Sequence, residues 1–134
     1  MQVLQPPGWA RPKGFSHGVA ATGKLVFVAG QVGCAGDGKF TENSFAGQFR
    51  QTLANILAVL AEAGGRPEHI VRLTWYVLDR DEYRASLGQV GDSYRELMGQ
   101  HYPAMAVLQV AGLVVDRARL EIEATAVIPE GRAR

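Results

Sequence analysis

The sequence predicts an α+β fold: a single mixed β-sheet with two helices packed on one of its faces. Three observations lead there. Residues 44–63 carry apolar side chains at helical spacing, while Tyr102–Val110 and Leu120–Ile128 alternate with the period of two that marks strands. Read in order, the elements run strand, strand, helix, strand, helix, strand, strand. A chain of 134 residues is expected to form one domain, residues 1–134, large enough to bury a core without disulfides or metals.

Residues 1–16 contain Pro6, Pro7 and Pro12 and no periodicity, so they read as an extended lead-in on the surface. Phe15-Ser16-His17 closes it, with Phe15 equally a core anchor or a ligand contact. Gly18–Thr22 and Leu25–Gly30 read as two short strands joined by a tight turn at Thr22-Gly23-Lys24. The second is apolar on both faces, through Leu25 and Phe27 and through Val26 and Val28, and is expected in the middle of the sheet. Gly33–Gly38 is a loop. No helix opening with a lysine and a hydroxyl follows it, which argues against a phosphate cradle.

In the first helix Phe45, Phe49, Leu53, Ile56, Leu57 and Leu60 form one stripe. Asn43 or Ser44 is its N-cap and Gly64-Gly65 its stop. Gln48, Gln51 and Asn55 fall outside the stripe and are expected in solvent. Ile70–Leu78 is a β-branched and aromatic strand with Val71, Leu73, Trp75 and Val77 on one face. Residues 81–97 form a weaker helix with the stripe Leu87, Val90, Tyr94 and Leu97. Gly88 and Gly91 each cost it about 1 kcal/mol against alanine and mark where it kinks or splits. Residues 129–134 read as a frayed tail.

Two helices can cover only one face of this sheet. Strands 25–30, 70–78 and 102–110 are nonetheless apolar on both faces. Apolar area on that scale is rarely left exposed, and a second copy of the same chain is the simplest cover.

Composition narrows the function classes. The net charge is +1, and the arginines are spread along the chain rather than clustered, so no nucleic-acid groove is expected. Cys34 is the single cysteine, which excludes an internal disulfide; it has no ligand-spaced neighbour and reads as incidental. No signal-peptide pattern and no membrane-length apolar run occurs, so the expected location is cytoplasmic, without membrane partners. His17, His69 and His101 lack ligand spacing, so neither a metal nor another cofactor is expected. Ser16 has no histidine–carboxylate partner and is not read as a nucleophile. His17, close to Phe15, is a candidate proton carrier.

The last strand places Glu121, Glu123 and Thr125 on one face and Leu120, Ile122, Ala124 and Ala126 on the other. Carboxylates in such a strand either meet cations or line a pocket. Glu121 could pair with Arg72 or Arg119, or belong to a site. Glu123 is the expected structural partner of Arg72.

Five segments together resemble the RidA (YjgF/YER057c/UK114) family: Gly14-Phe15-Ser16-His17-Gly18-Val19, Val28-Ala29-Gly30-Gln31, Leu60-Ala61-Glu62-Ala63-Gly64, Tyr102-Pro103-Ala104, and Leu120-Glu121-Ile122-Glu123-Ala124-Thr125-Ala126. The resemblance runs from Phe15 to Val127. It implies a chorismate-mutase-like fold assembled as a homotrimer, with small-molecule clefts between subunits. Archetypal members hydrolyse reactive enamines and imines such as 2-aminoacrylate to keto acids and ammonia.

By position, the resemblance makes Glu121 the catalytic carboxylate that handles a proton or positions water. It places Phe15, Gly30, Met105 and Val107 around the substrate. The archetypal arginine that clamps the substrate carboxylate is replaced by Met105, and the archetypal helix asparagine by Gly91. The expected function is therefore hydrolysis of an imine or enamine other than 2-aminoacrylate. The alternative is a non-catalytic small-molecule binder on the same fold, and RNA cleavage is disfavoured by the near-neutral charge.

Overall fold

The computed structural model describes residues 1–131. Its centre is a four-stranded mixed sheet in the order β3-β6-β4-β5, formed by β3 (Lys24–Val32), β4 (Ile70–Val77), β5 (Ala104–Gln109) and β6 (Leu120–Ile128). β6 is antiparallel to both β3 and β4, and β4 is parallel to β5. Helices α1 (Phe45–Glu62), α2 (Arg80–Ala85) and α3 (Leu87–Met98) supply the helical layer. A mixed sheet with two main helices is the expected architecture.

The apolar stripe decides how α1 docks. Phe49, Leu53, Ile56 and Leu60 recur at helical spacing and are fully buried against Leu73, Trp75 and Ile122 of the sheet. Truncating one such leucine to alanine typically costs about 2–5 kcal/mol. The Ser44 Oγ accepts the Gly47 N–H at 3.0 Å as the N-cap. At the other end Gly64 takes a φ of 81°, which an L side chain adopts only at a cost, and so lets the chain turn off the helix.

Several expectations need correction. β3 is an edge strand, not a central one, because β6 inserts between it and β4. Leu25 and Phe27, read as evidence for a central position, are 61% and 74% exposed. The strand at Gly18–Ala20 (β2) does not pair with β3; it pairs antiparallel with Gln2–Leu4 (β1) in a separate two-stranded ladder. The lead-in is therefore partly strand, held by a partner that lies distant in sequence. Val71 does not share a face with Leu73: a bulge between Ile70 and Arg72 turns Ile70 into the core instead.

The second helix breaks at Ser86 rather than at a glycine. The Ser86 Oγ donates to the Glu82 carbonyl at 2.8 Å, and α3 restarts at Leu87. Gln48 is not solvated, and Gln51 and Asn55 are half-buried rather than fully in solvent. Gln48 is buried, donates to the carbonyls of Glu42 and Arg117, and accepts the Arg119 N–H. Asn55 donates to the carbonyls of Val32 and Cys34, and Gln51 donates to Asn55. These amides clamp the two long loops onto α1, so they take over hydrogen bonds that loop backbone leaves unmade. Of the expected tail, residues 132–134 lie outside the described residues, and 129–131 adopt neither helix nor strand.

Candidate functional site

β4 and β5 run parallel, with Leu73 opposite Met105 and Trp75 opposite Val107. Since Leu73 and Trp75 face the helices, Met105 and Val107 face the same way. α2 and α3 do not fully close over this end of the sheet. A cavity of about 520 Å³ remains between the α2–α3 junction, β4, β5 and the lead-in. That volume is within the range of sites for small organic ligands.

The lead-in reaches this cavity because Ser16 fastens it. The Ser16 N–H donates to the Pro103 carbonyl at 3.0 Å and its Oγ to the Tyr102 carbonyl at 2.5 Å, in a parallel bridge to Ala104. Phe15 and Lys13 thereby join the lining. Phe15, Met105 and Val107 are thus brought together, while Gly30, named with them in the sequence reading, is not in this lining. Gly91 lines the same cavity on α3.

Other lining residues went unrecognised in the sequence. Tyr83, Tyr94 and Tyr102 give the walls an aromatic character. Tyr94 stacks on Tyr102 at 5.4 Å and donates its hydroxyl to the His101 carbonyl at 2.6 Å. Burial first, then the neighbouring Tyr102, pushes the Tyr94 phenol well above its usual range; burial raises Tyr83 likewise. Both phenols stay neutral at physiological pH. Arg95 follows Gly91 by one helical turn, and a methyl at Gly91 would stand 3.3 Å from its guanidinium. Arg95 is held by Asp92 at 2.7 Å and is 59% exposed.

Trp75, placed by the sequence on one face of its strand with Leu73 and Val77, is 3% exposed and stacked on Phe49 at 4.8 Å. It also lines the cavity, and its indole N–H is buried with no acceptor among the described residues. An orphan donor of this kind costs about 1–3 kcal/mol. The sequence signal was limited to a tryptophan on a core-facing strand, whose N–H ordinarily finds a partner.

Glu121 and Gly30 form a second group. On β6, Glu121 is opposite Tyr76 of β4 and Val32 of β3, on the face away from the helices. Its carboxylate lies over Gly30, so that a Cβ there would collide with it. Neither expected cation pairs with it: Arg119 binds Glu82 at 2.6 Å and the Asn43 carbonyl, and Arg72 makes no ion pair among the described residues. Glu123 is likewise not paired with Arg72; it accepts the Tyr76 hydroxyl at 3.2 Å. The Tyr76 phenol is raised, by desolvation first and by Glu123 next.

The two groups are separate within one chain. β3 and β5 are the opposite edges of the sheet, three strand spacings or about 14 Å apart, and the groups use opposite faces. Glu121 and Gly30 do not line the cavity. Among the described residues no three His, Cys, Asp or Glu side chains converge on a metal position, and no helix is long and apolar enough to cross a membrane.

Comparison with known proteins is consistent with the motifs. Residues 9–128 match the family described as Endoribonuclease L-PSP. A RutC family protein of Pyrococcus horikoshii is 30% identical over 113 residues, 84% of this chain and 85% of that one. YyfB of Yersinia pestis, a Rid-family protein of unknown function, superposes with a TM-score of 0.84 at 31% identity, over 95% of this chain and 98% of its own. TdcF of Escherichia coli, solved with bound serine, gives a TM-score of 0.67 at 27% identity over 96% and 99% of the two chains. A profile match over nearly the whole length, relatives of matching extent, and the motifs in their order on this sheet make one assignment: the chain belongs to the RidA (YjgF/YER057c/UK114) family.

Proposed function

We propose that the chain works as a cytoplasmic homotrimer of chorismate-mutase-like fold, and that its site is completed between copies. The cavity of one subunit, with Phe15, Met105 and Val107, would face Glu121 and Gly30 of the next. The observation that carries this reading is the separation of the two groups: Glu121 lies over Gly30 with no ion-pair partner among the described residues, about 10 Å from β5 and on the other face. The exposed Leu25 and Phe27 on edge strand β3 supply an apolar surface for such contact.

The chemistry that suits these groups is hydrolysis of a C=N bond. Glu121 takes a proton from water as the oxygen adds to the imine carbon, and the imine nitrogen is protonated. The carbinolamine then expels ammonia and leaves the carbonyl product, so one water is consumed per ammonia released. TdcF is named for reactive intermediate deaminase activity, and the serine bound to it supports a small amine-derived ligand for this site. The substrate proposed here differs from 2-aminoacrylate, because Met105 offers no cation for a carboxylate.

The test is ammonia release from a panel of imines, with Glu121→Gln as control. Loss of turnover in a variant that keeps its assembly and melting temperature supports the reading; equal turnover in both forms refutes it. Met105 also favours a second reading, a binder without turnover, and a ligand retained without ammonia release would select it. RNA cleavage, which the name of the matching family suggests, is disfavoured by the net charge of +1.

A further inference from the structure

The lead-in is hydrogen-bonded to the four-stranded sheet and its connections through one residue. Ser16 is buried, donates its N–H to the Pro103 carbonyl at 3.0 Å and its Oγ to the Tyr102 carbonyl at 2.5 Å, and forms a bridge to Ala104. Among the described residues, positions 5–17 make no other hydrogen bond beyond the lead-in: those of Gln5 and Trp9 close within it. The adjoining Phe15 is 36% exposed. Its ring meets His17 edge-on at 5.8 Å, and His17 meets Trp9 in turn at 5.1 Å. Burial therefore does not fix Phe15 at the cavity; the bonds of its neighbour do.

We propose that Ser16 is a positioning residue of the ligand site: its two hydrogen bonds hold Phe15 over the cavity as a wall that the ligand touches. The Oγ is committed to the Tyr102 carbonyl, so Ser16 acts through Phe15 and not as a nucleophile. Tyr102 and Met105 flank Pro103-Ala104 in the chain and line the same cavity, so the two bonds tie Phe15 to the strand that carries them. A ligand that finds Phe15 in place does not have to order the lead-in on binding. Without the hydroxyl, the fraction of molecules with Phe15 in place falls, and apparent affinity falls by that fraction. The inference rests on reading the cavity as a ligand site, and on no catalytic step.

The experiment uses the full chain and one stable probe, 4-phenylbutan-2-one, a neutral carbonyl compound that needs no carboxylate clamp. Affinity is measured by calorimetry in the unmodified protein, Ser16→Ala, Phe15→Ala and the double variant. Ser16→Ala should weaken binding about fivefold, the worth of one ordinary hydrogen bond. Phe15→Ala should weaken it by about tenfold. In the Phe15→Ala background, Ser16→Ala should cost less than about twofold, because the group it acts through is gone. The indole N–H resonances are followed by NMR, with Trp9→Phe assigning them. Trp9, which belongs to the strap, should shift in Ser16→Ala and move back when the probe is added; Trp75, stacked on Phe49, should not. In the unmodified protein the probe should slow exchange of the Ser16 amide by at least about threefold, a measurement that stands if Ser16→Ala does not fold.

An equal cost of Ser16→Ala with and without Phe15 would overturn the proposal, and so would unchanged affinity or unchanged Ser16 amide exchange. Absence of probe binding by the unmodified protein at millimolar concentration would remove the ligand site and this proposal together. Binding that couples Ser16 to Phe15, in a protein that releases no ammonia from any imine, upholds the proposal and removes the catalytic reading alone.

Discussion

The carboxylate of Glu121 rests on the backbone of Gly30, across the β3–β6 pair and near the bulge that shifts their register. Only a residue without a Cβ leaves room for it there. Gly30 needs no left-handed backbone, so its role is the space it leaves.

Gly30→Ala should therefore displace the carboxylate without unfolding the sheet. The atom that must move is the far end of a flexible side chain, so the melting temperature should fall by no more than a few degrees. If Glu121 is the proton acceptor, imine turnover should drop by about tenfold or more, since small misplacements of a catalytic group are costly. Thermal melts and ammonia assays on the same preparation check both halves. Unchanged turnover would mean the contact is only packing.

Phe27 is 74% exposed on an edge strand, and its β6 neighbour Thr125 is on the same uncovered face. If copies of the chain cover that face, light scattering coupled to size exclusion should give about three times the 14.5 kDa chain mass at micromolar concentration. Phe27→Lys should lower that mass by placing a charge in an apolar contact. A wild-type monomer under the same conditions would contradict the proposed assembly and, with it, a site completed between copies.

Much of this fold was legible because its strongest signals are periodic. The α1 stripe and the alternation of β6 follow from residue spacing alone, and the helix start was narrowed to a cap at Asn43 or Ser44, of which Ser44 makes it. The misread features all depend on partners distant in sequence. Leu25 and Phe27 looked central because their exposure is a property of the isolated chain's edge. Gln48 and Asn55 looked solvated because nothing local shows that loop carbonyls 21 to 69 residues away need donors. Of the cavity lining, Phe15, Met105 and Val107 had been singled out through motifs, whereas the tyrosines and Trp75 joined them only once α2 and α3 were folded back on the sheet. The unpaired indole N–H could not be read from the sequence, because an orphan is defined by what fails to lie near it.

The buried phenols give a pH dependence. Tyr94 has an unperturbed value of 10.0, and burial raises it in the folded state, as it does for Tyr83. A folded-state value above the unfolded one means that the unfolded chain releases its proton first as pH rises. The contribution to stability is thus fully present below pH 10 and is lost progressively above it. Unfolding free energies from urea titrations should be level toward pH 10 and fall beyond it. Tyr94→Phe should show a shallower fall, along with a loss of about 1 kcal/mol at neutral pH from the missing hydrogen bond to the His101 carbonyl. Equal slopes in the two proteins would show that Tyr94 ionises as easily folded as unfolded.

Finally, the protein should be a poor 2-aminoacrylate deaminase. In so small a molecule the carboxylate supplies much of the binding energy, and a two-pronged arginine contact is among the stronger polar interactions available. Met105, on the cavity wall opposite Leu73 of β4, provides dispersion and only a weak sulfur acceptor. The nearby cations do not replace the arginine. Arg95 is already bound to Asp92 at 2.7 Å, and both it and Lys13 are exposed, where a pair is worth about 0–1 kcal/mol. Arg11, the other cation of the lead-in, does not line the cavity. A lost charge-assisted contact of about 1.5–3 kcal/mol corresponds to roughly 10- to 150-fold in kcat/KM. Met105→Arg should recover part of this for 2-aminoacrylate. The check is side-by-side turnover of imines generated in situ by an amino-acid oxidase, using an arginine-bearing relative as the standard. Wild-type turnover equal to that standard would show that position 105 does not set the carboxylate preference.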